Sequence, residues 1–108
     1  MYEIDEYVTA DGRRPFGEWL AGLRDRRAQV RLLTRLDRVQ LGNFGDWKAL
    51  PGTGGVAELR DPHGSGYRVY FAVVDGRVVL LLAGSTKRQQ SAAIRRATAY
   101  LADYRERS

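Results

Sequence analysis

The sequence contains no cysteine and only one histidine, His63. Without cysteine the chain can form no disulfide, no thiolate nucleophile and no cysteine-ligated zinc site. A single histidine provides no histidine pair for a metal, and no cluster of carboxylates has the spacing of metal ligands. We therefore expect a protein that works without a metal or another cofactor, in a compartment that can be reducing.

Long apolar runs are also missing, because the longest one, Val78 to Ala83, has six residues. A membrane-spanning helix needs roughly 18 such residues, so we expect no membrane partner. The first residues, MYEIDE, lack the basic leader and the apolar stretch of a signal peptide. These features predict a cytoplasmic protein, and the length of 108 residues predicts a single domain over 1–108.

Lysine is scarce, since the 18 basic residues include only Lys48 and Lys87, and the other 16 are arginines. A GC-rich genome explains much of that ratio. The net charge of +5 favours a polyanionic partner such as nucleic acid, or an acidic protein. Arg27, Arg31 and Arg35 recur at a spacing of four on a predicted helix, where they form a solvated face or a surface for ribosomal RNA or an acidic partner.

The apolar periodicity predicts an α+β fold with the element order β-α-α-β-β-β-α. Asp75-Gly76 is a strong signal for a hairpin between two strands. We expect a twisted, mainly antiparallel sheet of about four strands, with a helix hairpin over residues 15–41 on one face. The predicted strands are 2–8, 56–60, 67–74 and 78–83, and the predicted helices are 15–24, a second one from Asp25 to about residue 41, and 88–104.

Basic residues on the predicted sheet are the main candidates for chemistry. Glu58 and Arg60 lie on one face of their strand by the period of two, and Arg68 lies inside a strongly apolar strand. If these strands pair, the guanidinium groups of Arg60 and Arg68 approach each other, and an anion is needed to neutralise their like charges. The alternative is an internal salt bridge from Arg60 or Arg68 to Glu58 or Asp61.

A third basic group, Lys87-Arg88, follows the most apolar strand and precedes the last helix. A phosphate is favoured at such a helix start. Gly84-Ser-Thr-Lys87 does not have the order of a P-loop, and His63-Gly-Ser-Gly66 does not match a hydrolase nucleophile elbow. The sequence therefore favours phosphate contacts by basic side chains over a nucleotide-binding loop or a hydrolase triad.

Seven short motifs follow one another along the chain. They are Phe16-x-x-Trp-Leu-x-x-Leu23, Arg35-Leu-x-Arg38, Gly42-Asn-Phe-Gly-Asp-x-Lys48, Gly55-Val-x-Glu-Leu-Arg60, Gly66-Tyr-Arg-Val-Tyr-Phe71, Leu80-Leu-Leu-x-Gly84 and Lys87-x-x-Gln90. This ordered set resembles the HigB-type, phage Gp49-like branch of the RelE/ParE toxin superfamily, and the resemblance extends from about residue 14 to residue 101. It implies the RelE/ParE-like fold and the toxin of a bacterial type II toxin–antitoxin module, with a helix-turn-helix antitoxin of the HigA kind as its partner.

The usual activity of the family is cleavage of mRNA on the ribosome, which inhibits translation. By resemblance, Arg68 contacts the scissile phosphate, Lys87 and Arg88 stabilise the leaving group, and Arg60 matches the Glu-Leu-Arg motif of this branch. Two further residues are expected to bind RNA, namely Lys48 and Tyr67. RNA supplies its own 2′-hydroxyl nucleophile, so such an endoribonuclease needs positive charge and geometry rather than a metal.

Two other readings stay open. One is a ParE-like inhibitor of DNA gyrase, and the other is a non-catalytic protein of this fold that binds nucleic acid or an antitoxin. The last helix differs from that of relatives at two positions. RelE itself has a tyrosine in the region of Ile94, and many relatives have an acidic residue at the position of Ala93. No general base stands out, and Tyr67, Tyr70 and His63 are fallback candidates.

Overall fold

A computed structural model describes residues 1–64 and 66–108. In this part of the chain, five strands and three α-helices follow one another, and a 3-10 turn at Lys87–Gln89 precedes the last helix. The elements are β1 (Glu3–Glu6), α1 (Pro15–Ala21), α2 (Arg26–Gln40), β2 (Trp47–Ala49), β3 (Ala57–Asp61), β4 (Tyr67–Val74), β5 (Val78–Thr86) and α3 (Gln90–Arg107).

The strands form one mixed sheet in the order β1-β5-β4-β3-β2. β1 runs parallel to β5, and the other neighbours are antiparallel. The hairpin between β4 and β5 turns at Asp75 and Gly76, whose φ angles of 54° and 68° suit a type I′ turn. The α+β class and this hairpin are therefore confirmed.

The sheet has one strand more than the expected number of about four, because β2 is a fifth strand. Its three residues are all exposed, so they carry no alternation of buried and exposed positions that a sequence pattern could reveal. The ends of other elements also differ. β1 is shorter than the predicted 2–8, and β5 continues three residues past the predicted end at Ala83.

Helices cover both faces of the sheet. The hairpin of α1 and α2 packs on one face, where Phe16, Leu32 and Val39 meet the apolar residues of β3, β4 and β5. The other face is covered by α3, whose Ala93, Ala97 and Leu101 pack against Tyr70 and neighbouring side chains. β5 contributes buried residues to both faces, as its continuous apolar pattern predicts.

Local sequence features explain where the helices begin. Pro15 occupies the first turn of α1, where a missing N–H costs nothing. Asp25 caps α2, since its Oδ1 accepts a hydrogen bond of 3.1 Å from the backbone N–H of Ala28. None of the helices described is long and apolar enough to cross a membrane.

Candidate active site

A cleft of about 350 Å³ opens where β3 ends, β4 begins and the chain leaves β5. Three of the four residues predicted to be catalytic line this cleft, and they come from three different elements. The cleft is lined by Asp46, Arg60, Pro62, Gly64, Gly66, Arg68 and Lys87.

Antiparallel pairing brings the two arginines together. Arg60 on β3 is directly opposite Arg68 on β4, and Arg68 is opposite Ser85 on β5. Residues opposite each other in adjacent strands present their side chains on the same face of the sheet. The predicted approach of two guanidinium groups on adjacent strands is therefore a feature of the fold.

A buried carboxylate lies beneath these cations. Glu58 has no solvent exposure, and its Oε2 accepts a hydrogen bond of 2.7 Å from Arg60 Nε. Arg68 Nε lies 3.5 Å from the same oxygen, which completes a second ion pair. The alternative of an internal salt bridge to Glu58 is therefore confirmed. The hydrogen bond between Arg60 and Glu58 raises the pKa of the Arg60 guanidinium. Asp61 pairs instead with Arg31 of α2.

The two arginines differ in how completely their N–H groups are hydrogen-bonded and in how exposed their side chains are. The Arg68 side chain is 10% exposed, and among the described residues its Nε finds no hydrogen-bond partner of proper geometry. Its Nη1 donates to the carbonyl of Tyr67 at 3.2 Å. Arg60 is 35% exposed and makes the shorter contact with Glu58. Glu58 and the cleft-lining Asp46 carry two negative charges against the three positive charges of Arg60, Arg68 and Lys87, so the cleft keeps net positive charge.

Glycine permits the close packing of Lys87. Gly66 has a φ of +72°, and a Cβ added there would lie 3.3 Å from Lys87 Cβ and 3.7 Å from Arg68 Nη1. A side chain at residue 66 would therefore strain the backbone and press against Lys87 Cβ, while Arg68 Nη1 would lie at ordinary contact distance. The glycine of the Gly-Tyr-Arg segment thus lets Lys87 pack closely against the backbone just before β4.

The remaining predicted site residues lie outside the cleft. Arg88 is exposed in the turn beside Lys87, and Lys48 is exposed on β2, opposite Glu58. Tyr67 lies in the core on the other face of the sheet, and its ring packs against Trp19 with centroids 6.2 Å apart. The fold therefore brings together Arg60, Arg68 and Lys87 but places Tyr67 away from them.

Glu58 was expected only as an ion-pair partner, and Asp46 and Gln90 carried no predicted role. Asp46 is a carboxylate at the rim of the cleft, in the loop before β2. Gln90 begins α3, and its Nε2 donates a hydrogen bond of 3.1 Å to Glu58 Oε1. Both residues occur in the quoted motifs, but only the tertiary fold places them next to the arginines.

The fallback bases also lie apart from the cleft lining. Tyr70 is fully buried beneath it, and burial is the main cause that raises the pKa of its hydroxyl. The Tyr70 hydroxyl lies 3.0 Å from Ser85 Oγ, which itself donates to the carbonyl of Thr86. His63 is exposed in the loop after β3. Among the described residues, no group of three or more His, Asp or Glu could hold a metal ion.

These features define a class: a small α+β protein with a basic cleft suited to a phosphate group. The profile of the family described as "Phage derived protein Gp49-like (DUF891)" matches residues 18–105, and the chain belongs to this family. A protein of Haemophilus influenzae, described as an uncharacterized protein, is 42% identical over 82 residues. The match covers 76% of this chain and 81% of that protein. The Gp49-like part of the sequence resemblance is thereby confirmed, and it indicates a protein of the toxin kind.

Proposed function

We propose that this chain is the toxin of a type II toxin–antitoxin pair and that it cleaves mRNA on the ribosome without a metal. The observation that carries this proposal is the juxtaposition of Arg60, Arg68 and Lys87 in one cleft over a single buried carboxylate. Net positive charge confined to a cleft stabilises the extra negative charge of a phosphate under attack. The proposed partners are translated mRNA and a helix-turn-helix antitoxin.

The reaction is a transfer within the RNA. The 2′-oxygen forms a bond to the adjacent phosphorus while the bond from phosphorus to the 5′-oxygen breaks. The products are a 2′,3′-cyclic phosphate and a free 5′-hydroxyl. One proton leaves the 2′-hydroxyl and one reaches the 5′-oxygen, so the protein needs a proton acceptor and a donor but no oxidant and no metal.

The cleft supplies a side chain for each task. Arg60 and Arg68 bind the non-bridging oxygens, because their planar guanidinium groups match phosphate geometry. Lys87 neutralises and protonates the leaving 5′-oxygen, with Arg88 beside it. Asp46, the carboxylate among the cleft-lining residues, accepts the proton of the 2′-hydroxyl. Lys48, exposed on β2, contacts a flanking phosphate.

A second candidate is a protein of this fold that binds nucleic acid or an antitoxin without catalysis. The ion pairs of Glu58 favour it, because Arg60 and Arg68 already have a carboxylate partner in the folded protein. A ParE-like gyrase inhibitor is a further alternative. These readings predict different cellular products, so one set of cell-based measurements separates them.

The test is induced expression in bacteria of the wild-type chain, Arg68→Lys and Arg77→Lys. Arg77 is the matched control, because it is exposed in the turn between β4 and β5, at the far end of those strands. We expect growth arrest with new 5′ ends in translated mRNA by primer extension. Arg68→Lys should lose the cuts and Arg77→Lys should keep them. Arrest without cuts refutes the nuclease, and loss of supercoiling would indicate gyrase.

The antitoxin is tested with the product of a neighbouring helix-turn-helix gene. A partner that covers or displaces the basic cleft should silence cleavage, so the purified complex should cut ribosome-bound mRNA much more slowly than the toxin alone. Equal rates for the complex and the toxin would contradict neutralisation at this cleft.

A further inference from the structure

Gln90 connects the start of α3 to the buried centre of the cleft. Its side-chain amide donates to Glu58 Oε1 at 3.1 Å across 32 residues of sequence. The other carboxylate oxygen, Oε2, faces Arg60 Nε at 2.7 Å and Arg68 Nε at 3.5 Å. Each oxygen of this carboxylate therefore has its own set of partners.

This division of partners controls how the guanidinium groups are presented. Arg60 is held through its Nε, and within the described part of the chain its two η nitrogens make no side-chain hydrogen bond, at the edge of the cleft that Arg60 lines. A carboxylate without a partner on Oε1 would be buried and under-satisfied, and it would rotate toward another arginine N–H. That rotation would turn the guanidinium groups away from a bound phosphate.

Gln90 also ties this network to Lys87. The two residues are three positions apart, because the 3-10 turn Lys87–Gln89 leads directly into α3, which begins at Gln90. The backbone N–H of Gln90 also donates to the carbonyl of Lys87, so Gln90 contacts both the carboxylate that orients the arginines and the turn that carries the lysine.

We infer that Gln90 is a positioning residue, which acts through Glu58 to hold Arg60 and Arg68 in the geometry that a scissile phosphate requires. This inference rests on the proposed nuclease function. Misplacing catalytic groups by about 1 Å costs roughly a hundredfold in rate. We therefore expect Gln90→Met to lower the cleavage rate about ten- to a hundredfold, with less change in binding to ribosomes carrying mRNA.

The experiment combines kinetics with an NMR observation that does not depend on activity. Gln90→Met keeps the length of the side chain and removes its donor, and Gln89→Met is the same change at the exposed neighbouring position. The signals measured are the Nε–H groups of Arg60 and Arg68. Gln90→Leu is the second variant if Gln90→Met folds poorly, because it also removes the donor and places no second carboxylate beside the buried Glu58.

The expected result is that the Nε–H signals of both arginines move in Gln90→Met and remain in place in Gln89→Met, with a lower cleavage rate only in the former. Unmoved signals overturn the inference whatever the rate does. Moved signals with an unchanged rate overturn it as well. If wild-type protein cleaves no mRNA but the signals move, the nuclease proposal fails while the positioning of the arginines by Gln90 stands.

Discussion

Replacing Arg68 with methionine should separate stability from activity. Arg68 is a nearly buried cation that lacks a hydrogen-bond partner for its Nε within the described residues and lies 3.5 Å from Glu58. A buried polar group without a proper partner costs about 1–3 kcal/mol. Methionine fills a similar space without that cost, and Glu58 keeps the closer contacts with Arg60 and Gln90.

We therefore expect Arg68→Met to keep its melting temperature or to raise it. A gain of 1 kcal/mol corresponds to about 4–8 °C in a domain of this size. Cleavage of ribosome-bound mRNA should fall by roughly a hundredfold or more, which is about 2.7 kcal/mol of lost transition-state stabilisation. The assays are thermal denaturation of the purified variant and primer extension on translated mRNA.

Arg60→Met is the matched comparison. This change removes the 2.7 Å hydrogen bond to Glu58 and leaves a fully buried carboxylate with Gln90 and the more distant Arg68. We expect a lower melting temperature than for Arg68→Met, together with a similar loss of cleavage. If Arg68→Met unfolds while Arg60→Met is stable, then Arg68 is the main partner of Glu58 and the reasoning is wrong.

Three further predictions test the core and the surrounding contacts. Gly84→Ala should destabilise the protein by about 1–3 kcal/mol or more in urea denaturation, because the added Cβ would lie 2.1 Å from Trp19 Cε3. The hydrogen bond from Tyr7 lowers the pKa of Asp103, so its contribution to stability is present at neutral pH and is lost in acid. Tyr7→Phe should therefore reduce stability more at about pH 7 than at about pH 3 in the same denaturation assay. Tyr67→Phe should cleave mRNA at the wild-type rate in primer extension, because its ring lies on the opposite face from Arg68.

Sequence patterns predicted most of the fold because its long elements are regularly amphipathic or wholly apolar. The stripe of α2 and the continuous apolar run of β5 identify their element types without tertiary information. β2 carries no such signal, because all three of its residues are exposed. Its existence depends on pairing with β3, and pairing is a property of the folded chain.

The site was predictable to the extent that it follows strand alternation. The period of two places Glu58 and Arg60 on one face, and it also puts Tyr67 and Arg68 on opposite faces. The same alternation separates the side chain of Tyr67 from the cleft. The contact between Gln90 and Glu58 could not be foreseen, because it depends on how α3 packs on the sheet.

The balance of charge on this face of the sheet explains why the cleft is suited to an anion. At the level of Arg68, the opposing residue on β5 is Ser85, whose hydroxyl is already engaged with Tyr70 and the carbonyl of Thr86. Glu58 must therefore serve two arginines, and it is closer to Arg60 than to Arg68. A second carboxylate in place of Ser85 would satisfy Arg68 and cancel its charge. With a serine there, Arg68 stays buried and its Nε has no hydrogen-bond partner among the described residues. Under the proposed function, a phosphate oxygen entering the cleft would supply that partner.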